Sequence, residues 1–263
     1  MSHVKHSVCR WCFDKTPLST LAEWCVDLGI DGIDLLHPNE VKQITSYGLT
    51  CPITAAPEHP SGIGRIENAF NKCSNHPTLL EIYSQLIPEA ANAGIPNVIT
   101  FSGNRENLTD EEGLKNCVTG LRPLLDLAEQ HDVTLIMELL NSKVDHPDYQ
   151  CDRTEWGVAL CQELDSPRFK LLYDIYHMQI MEGDIIATIK EIAPYIGHYH
   201  TAGCPGRHEI NETQELYYPA IIEAIKSTNY EGFVAQEFLP TWEDPKSALA
   251  DAIERCSETH LLP

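Results

Sequence analysis

The chain alternates short runs rich in Val, Ile and aromatic residues with longer stretches of helical periodicity, and this rhythm limits its fold more than any other feature. Strands are predicted over Val4–Val8, Gly32–Leu36, Leu49–Thr54, Asn97–Phe101, Val133–Glu138, Phe169–Asp174, Gly197–Thr201 and Phe233–Phe238. Helices are predicted between them over Pro17–Leu28, Thr78–Ala93, Asp110–Gln130, Thr154–Leu164, Ile185–Ile192, Tyr218–Ser227 and Pro245–Cys256. Helix-end chemistry agrees. Thr109 precedes an acidic first turn, Asp244 precedes Pro245, and Gly29 and Gly94 follow their helices. Eight strand–helix units in 263 residues come to about 33 residues each, the spacing of repeated βα units with a parallel sheet.

Two folds fit that rhythm, an open doubly wound sheet and a closed (β/α)8 barrel. An open dinucleotide-binding sheet needs a glycine-rich turn after its first strand. Here that turn reads Cys9-Arg10-Trp11-Cys12-Phe13-Asp14. The pair Gly62 and Gly64 stands isolated in a loop, and no phosphate-loop lysine motif occurs. The expectation is one (β/α)8 TIM barrel domain of the α/β class over residues 1–263.

Charge narrows the partners. Eighteen basic residues against 39 acidic ones give a net charge of −21, which repels phosphate backbones and argues against nucleic acid. No apolar run reaches membrane-spanning length, and the start of the chain lacks a secretory pattern. The ten cysteines are too scattered for a disulfide scaffold, so reduced thiols in a cytoplasmic setting are expected. The spacing of Cys9 and Cys12 is a weak redox or metal signal. A homo-oligomer is compatible with the sequence, which marks no interface.

The chemistry gathers at the ends of the last four predicted strands. They close on Glu138, Asp174, His200 and Glu237, separated by 36, 26 and 37 residues, one βα unit each. A barrel brings such ends together at its C-terminal mouth. One carboxylate at a strand end is unremarkable, since it can cap a helix. Four successive units doing so point to a shared cation, because burying three carboxylates together is costly without one. Three oxygens and an imidazole suit Mg2+, Mn2+ or Co2+, with Zn2+ less favoured. His177 shares the rim and could bind substrate or a second metal, or be structural. His198 is placed beneath His200 as its support. Arg207 is a fork for a substrate carboxylate or hydroxyls, or else a surface salt-bridge partner for the many acids, and Trp11 and Phe13 could wall the pocket or simply pack.

Three strings carry a family resemblance. They are Tyr173-Asp174-Ile175-Tyr176-His177-Met178-Gln179-Ile180-Met181-Glu182-Gly183-Asp184, then Pro205-Gly206-Arg207-His208-Glu209 with Tyr218-Pro219, and Glu138-Leu139-Leu140-Asn141 with Asp145, Pro147 and Tyr149. On these the chain resembles the xylose isomerase-like TIM barrels, and within them the hydroxypyruvate isomerases. The likeness is sharp from Glu138 onward. It implies a divalent metal on Glu138, Asp174, His200 and Glu237, with Glu138 and Glu237 moving protons across the substrate. It also implies a small hydroxy-carbonyl substrate, chiefly hydroxypyruvate converted to tartronate semialdehyde through a metal-bound enediolate. Arg207, Lys143, His177 and Trp11 would contact that substrate, Lys143 standing where the family commonly has Arg.

Two positions depart from the isomerase pattern. His200 replaces a usual Gln, as in the superfamily's sugar epimerases and isomerases, and Leu239 replaces a usual basic residue. A 2-oxo-tetronate or sugar isomerase and a ketose 3-epimerase therefore stay open. A non-catalytic metal- or sugar-binding module and an abasic-site endonuclease are remote. The endonuclease would need more metal ligands, and strand four ends Ile99-Thr100-Phe101-Ser102-Gly103 without one.

Overall fold

In a computed structural model, which describes residues 4–257, the strands are β1 (Lys5–Cys9), β2 (Gly32–Asp34), β3 (Ile53–Ala55), β4 (Asn97–Thr100), β5 (Thr134–Glu138), β6 (Phe169–Asp174), β7 (Ile196–Thr201) and β8 (Phe233–Gln236). Every pairing is parallel, in the order β2-β1-β8-β7-β6-β5-β4-β3. The two ends of that order meet through three backbone bonds. Thr50 N–H donates to Asp31 O at 3.1 Å, Ile33 N–H to Thr50 O at 2.9 Å, and Leu35 N–H to Ile53 O at 2.8 Å. The result is the expected eight-stranded barrel, nearly closed, with its thinnest seam between β2 and β3. Residues 1–3 and 258–263, the ends of the expected domain, lie outside the described residues, as does part of the chain start that was read for a targeting pattern.

The seam departs from the sequence reading, for local reasons. β2 stops at Asp34 rather than Leu36 because Leu35 sits at φ +63°, where an extended ladder cannot continue. β3 begins at Ile53 rather than Leu49, since Pro52 has no N–H to give the ladder. Gly32 lets the two strands close, because a Cβ there would stand 2.8 Å from the Thr50 carbonyl oxygen and 3.0 Å from Pro52 Cδ. The obstacle is backbone in an interstrand bond, so it cannot swing aside. Gly32→Ala is expected to lower stability by roughly 1–3 kcal/mol, the usual cost of overpacking. The urea unfolding midpoint measures this, and an unshifted midpoint would mean that the seam yields freely.

The helices α1 (Leu18–Leu28), α2 (Lys42–Thr45), α3 (His76–Asn92), α4 (Asp110–Gln130), α5 (Thr154–Leu164), α6 (Ile175–Met181), α7 (Ile185–Ile192), α8 (Tyr218–Ser227) and α9 (Pro245–Ser257) fill the connections. On α4 the buried residues Cys117, Gly120, Leu121, Leu124, Leu125 and Ala128 recur at helical spacing and form one apolar face. Thr109 makes the capping box, accepting from the Glu112 N–H at 3.2 Å while its own N–H donates to Glu112 Oε2 at 2.9 Å. Gly29, at φ +68°, ends α1. The short helices α2 and α6 were not predicted. Among the described residues, no helix is long and apolar enough to cross a membrane.

Candidate metal centre and active-site cavity

The barrel assembles the four strand-end residues. Glu138 closes β5, Asp174 closes β6, His200 lies in β7 directly opposite Asp174, and Glu237 follows β8. Glu237 keeps the ladder running for one more bond, its N–H donating to Thr201 O at 2.9 Å. All four side chains are buried, and one ligand atom of each lies within 4.8 Å of the others. His200 Nδ1 stands 3.1 Å from Glu237 Oε2, 3.5 Å from Glu138 Oε1 and 4.0 Å from Asp174 Oδ2. Even so, that nitrogen is buried without a hydrogen-bond partner. A solvent-excluded imidazole nitrogen facing three carboxylates is the observation that fits a cation there, since burying it unpaired is otherwise costly. Three oxygens and one nitrogen match a hard or borderline dication.

The electrostatics agree. Burial and the adjacent Glu237 push Asp174 well above the ordinary carboxylate range. Burial also works against an ionised Glu237, but His200 and Arg207 outweigh it and hold this acid well below its usual value. Burial disfavours a charged His200, yet Cys9, Glu237 and Asp34 together hold its pKa well above normal. The cluster therefore calls for positive charge at its centre, which a proton or a cation can supply.

Neighbouring residues fix the cluster's orientation. Asp174 caps α6, its Oδ1 accepting the His177 N–H at 2.9 Å, which leaves Oδ2 facing His200 and Arg207. Glu237 is held at both oxygens, by Trp11 Nε1–H on Oε1 at 2.9 Å and by Arg207 on Oε2 at 2.6 Å. Arg207 adopts φ +58° between a bond from its N–H to Gly203 O (2.8 Å) and one to its carbonyl from Leu239 N–H (2.7 Å). Its guanidinium lies against the Trp11 and Tyr176 rings, at 5.1 and 5.5 Å from the centroids.

Beneath the cluster, Asp34 of β2 bonds His198 Nε2 of β7 at 2.5 Å and lies 3.6 Å from His200 Nε2. These strands are not neighbours in the sheet, so the contacts cross the barrel interior. Burial would raise the Asp34 carboxyl, but His198 and His200 hold it down at about 2. Asp34 was absent from the sequence reading. A carboxylate inside Gly32-Ile33-Asp34-Leu35-Leu36 was the available signal, since an ionised group in a buried strand demands a partner.

The remaining expected site residues take varied places. Burial holds His177 well below the usual imidazole pKa. Its Nδ1 accepts the Asn141 N–H at 3.2 Å, so the neutral ring carries its proton on Nε2, which faces Asp174 Oδ2 at 3.9 Å. This places it behind Asp174. Lys143 donates to the carbonyls of Ile180 (3.0 Å) and Met181 (2.9 Å) at the end of α6, away from the cavity lining. Its stem crosses from the β5 loop to finish a helix, a C-terminal role that suits a cation. Phe13 is buried and packs edge-on against Phe238 at 6.1 Å. Cys9 lies 3.7 Å from His200 Nε2, and burial raises the thiols of Cys9 and Cys12 well above normal, so neither is poised as a thiolate. All ten cysteines are free.

A cavity of about 450 Å³ opens over the cluster. Glu138, Glu237, Arg207 and Trp11 line it, together with Leu35, His37, Arg65, Ile99 and Phe101. A family model described as xylose isomerase-like TIM barrel matches residues 22–258. The chain belongs to this family. It is 29% identical over 161 residues to a human protein named putative hydroxypyruvate isomerase, covering 59% of this chain and 58% of that one. A 2-oxo-tetronate isomerase of Cupriavidus necator is 36% identical over 113 residues, 43% of each chain. The hydroxypyruvate isomerase of Escherichia coli is 32% identical over 136 residues, 49% of this chain and 52% of that one. The matched stretches thus span about half the length of these relatives.

Solved structures share the fold at full length. A protein described as AP endonuclease, family 2, from Brucella melitensis superposes with TM-score 0.83 at 22% identity, covering 95% of this chain and 97% of that one. D-psicose 3-epimerase from Clostridium cellulolyticum H10 gives 0.77 at 17%, covering 97% and 98%.

Proposed function

We propose that this protein is a metal-dependent isomerase of a small α-hydroxy carbonyl acid, with hydroxypyruvate and tartronate semialdehyde as the leading pair. One observation carries the reading: Glu138 and Glu237, from opposite ends of the β5–β8 arc, line one cavity above a buried carboxylate–imidazole cluster. The names of the curated relatives point the same way. Glu138, Asp174, His200 and Glu237 would hold the cation, whose Lewis acidity would acidify the C–H beside a carbonyl.

The chain's own groups do the rest. One glutamate takes the proton from the hydroxymethyl carbon of hydroxypyruvate, and a proton returned to the adjacent carbon gives the aldehyde isomer. His200 and Arg207 keep Glu237 ionised, and Trp11 and Arg207 hold its two oxygens in place at the cavity. His177 and the start of α6 fix Asp174. The apolar wall of Leu35, Ile66, Ile99 and Phe101 excludes water from the carbanionic species.

His200 and Leu239 favour a second reading, a ketose 3-epimerase, in which the proton returns to the opposite face of the same carbon. The test is purified protein with Mn2+ or Mg2+ in D2O, offered hydroxypyruvate, 2-oxo-tetronate and D-allulose, followed by NMR. Isomer formation with the acids supports the first reading. Deuterium at C3 of the ketose alone supports the second. Label entering none of them overturns both and leaves a binding module.

A further inference from the structure

Of the two arginines that line the cavity, Arg207 is committed to Glu237, but Arg65 forms no ion pair among the described residues, in a chain with 39 acidic groups. We propose that Arg65 binds the substrate's carboxylate and so selects 2-oxo acids over neutral ketoses at this site. The proposal rests on the isomerase reading above and names the residue that sets its substrate class.

The loop after β3 presents this side chain. Gly64 takes φ +95°, a conformation that L side chains rarely adopt, and its N–H donates to Asn68 O at 2.8 Å. Asn68 N–H returns a bond to Arg65 O at 3.3 Å, so residues 64–68 form a closed turn with Arg65 inside it. The isolated Gly62 and Gly64 pair, which matched no phosphate-binding motif, thus has a structural use.

Arg65 Nη1 donates to the Ala56 carbonyl at 3.2 Å, and no protein acceptor takes Nη2 or Nε among the described residues. Those two donors form one edge of a planar fork, the geometry that receives a carboxylate in bidentate fashion. Glu40 also lines the cavity, but its carboxylate accepts the His37 N–H at 2.9 Å and makes no ion pair with Arg65. Ile66, Ile99 and Phe101 line the same cavity, and their low polarity strengthens a charge-assisted bond. Glu138 and Glu237 of the cluster line the same cavity as Arg65, so a short substrate would direct its hydroxy-carbonyl end to them and its carboxylate to Arg65. A neutral ketose would leave the fork unanswered.

Hydroxypyruvate and dihydroxyacetone share a three-carbon hydroxyketone frame and differ by carboxylate against hydroxymethyl. With Mn2+-loaded protein, Arg65→Gln is expected to raise KM for hydroxypyruvate about 10–100-fold with little change in kcat, the signature of lost uniform binding. Kinetics with dihydroxyacetone should stay unchanged, and Arg65→Lys should restore part of the loss. Calorimetric titration with tartronate, a non-reacting hydroxydicarboxylate, reads the same contact without turnover and should weaken by a similar factor. Equal tartronate affinity in wild type and Arg65→Gln, or no binding to wild type, overturns the proposal whatever the kinetics. Tartronate discrimination without conversion of any acid would instead overturn the isomerase reading and keep the anion site.

Discussion

Glu237→Gln should lower kcat with hydroxypyruvate by about 10²–10⁴-fold, the range that a positioned base contributes. The amide keeps the shape and one oxygen toward the cluster, but it cannot take a proton. It also loses the ionic bond from Arg207 Nη2, now 2.6 Å long, and the charge that offsets the guanidinium. Assays at saturating Mn2+ separate lost base from lost metal affinity, and solvent deuterium exchange at the substrate carbon should fall in parallel. Near-normal turnover by this variant would remove the two-glutamate scheme, because the variant lacks one of its two proton-transferring carboxylates.

Stripping divalent ions with a chelator should abolish turnover, and returning Mn2+ or Mg2+ should restore it. The same addition should stabilise the fold. At a free concentration of a hundred times Kd, binding to the native state contributes about 2.7 kcal/mol, readable as a rise in the thermal midpoint. The physical source is the crowding described above, in which burial and Glu237 raise Asp174 while three carboxylates share one pocket. His200→Asn and Asp174→Asn should each blunt this thermal response. A midpoint indifferent to both ions, alongside full activity after chelation, would show that the cluster is maintained by protons alone.

The fold and the core of the site were legible for one reason. At the ends of β5, β6 and β8 a largely apolar run closes on an acid, and these acids are the ones that the barrel brings together. Asp174 shows the limit of that signal. It was legible as a strand end, but the helix it caps was not, because Ile175–Met181 continues the apolar character of β6 and offers no fresh periodicity. β2 and β3 span only three residues each and are bounded by a left-handed Leu35 and by Pro52, features that register on the backbone rather than in hydrophobic pattern. Arg65 carries no sequence signal, being an arginine in a loop without periodicity. Lys143 was placed by likeness to relatives, and its reach to the α6 carbonyls depends on how two loops pack. Trp11 lines the cavity as its place after β1 suggests, but the bond from its indole N–H to Glu237 has no signal in the sequence.

The acids proposed to react come from the β5–β8 arc, and much of the remaining cavity lining comes from β3, β4 and the irregular connections after β2, β3 and β4. On the proposed reading the proton-moving acids belong to the C-terminal half of the chain, while the N-terminal half supplies the loops of recognition together with two braces for the cluster, Trp11 and Asp34. A lineage built this way can swap its diet by rewriting one half, since insertions or replacements near His37 or Arg65 leave the reactive quartet's scaffold intact. Descendants should then diverge first and furthest in the N-terminal loops while their chemistry stays recognisably the same.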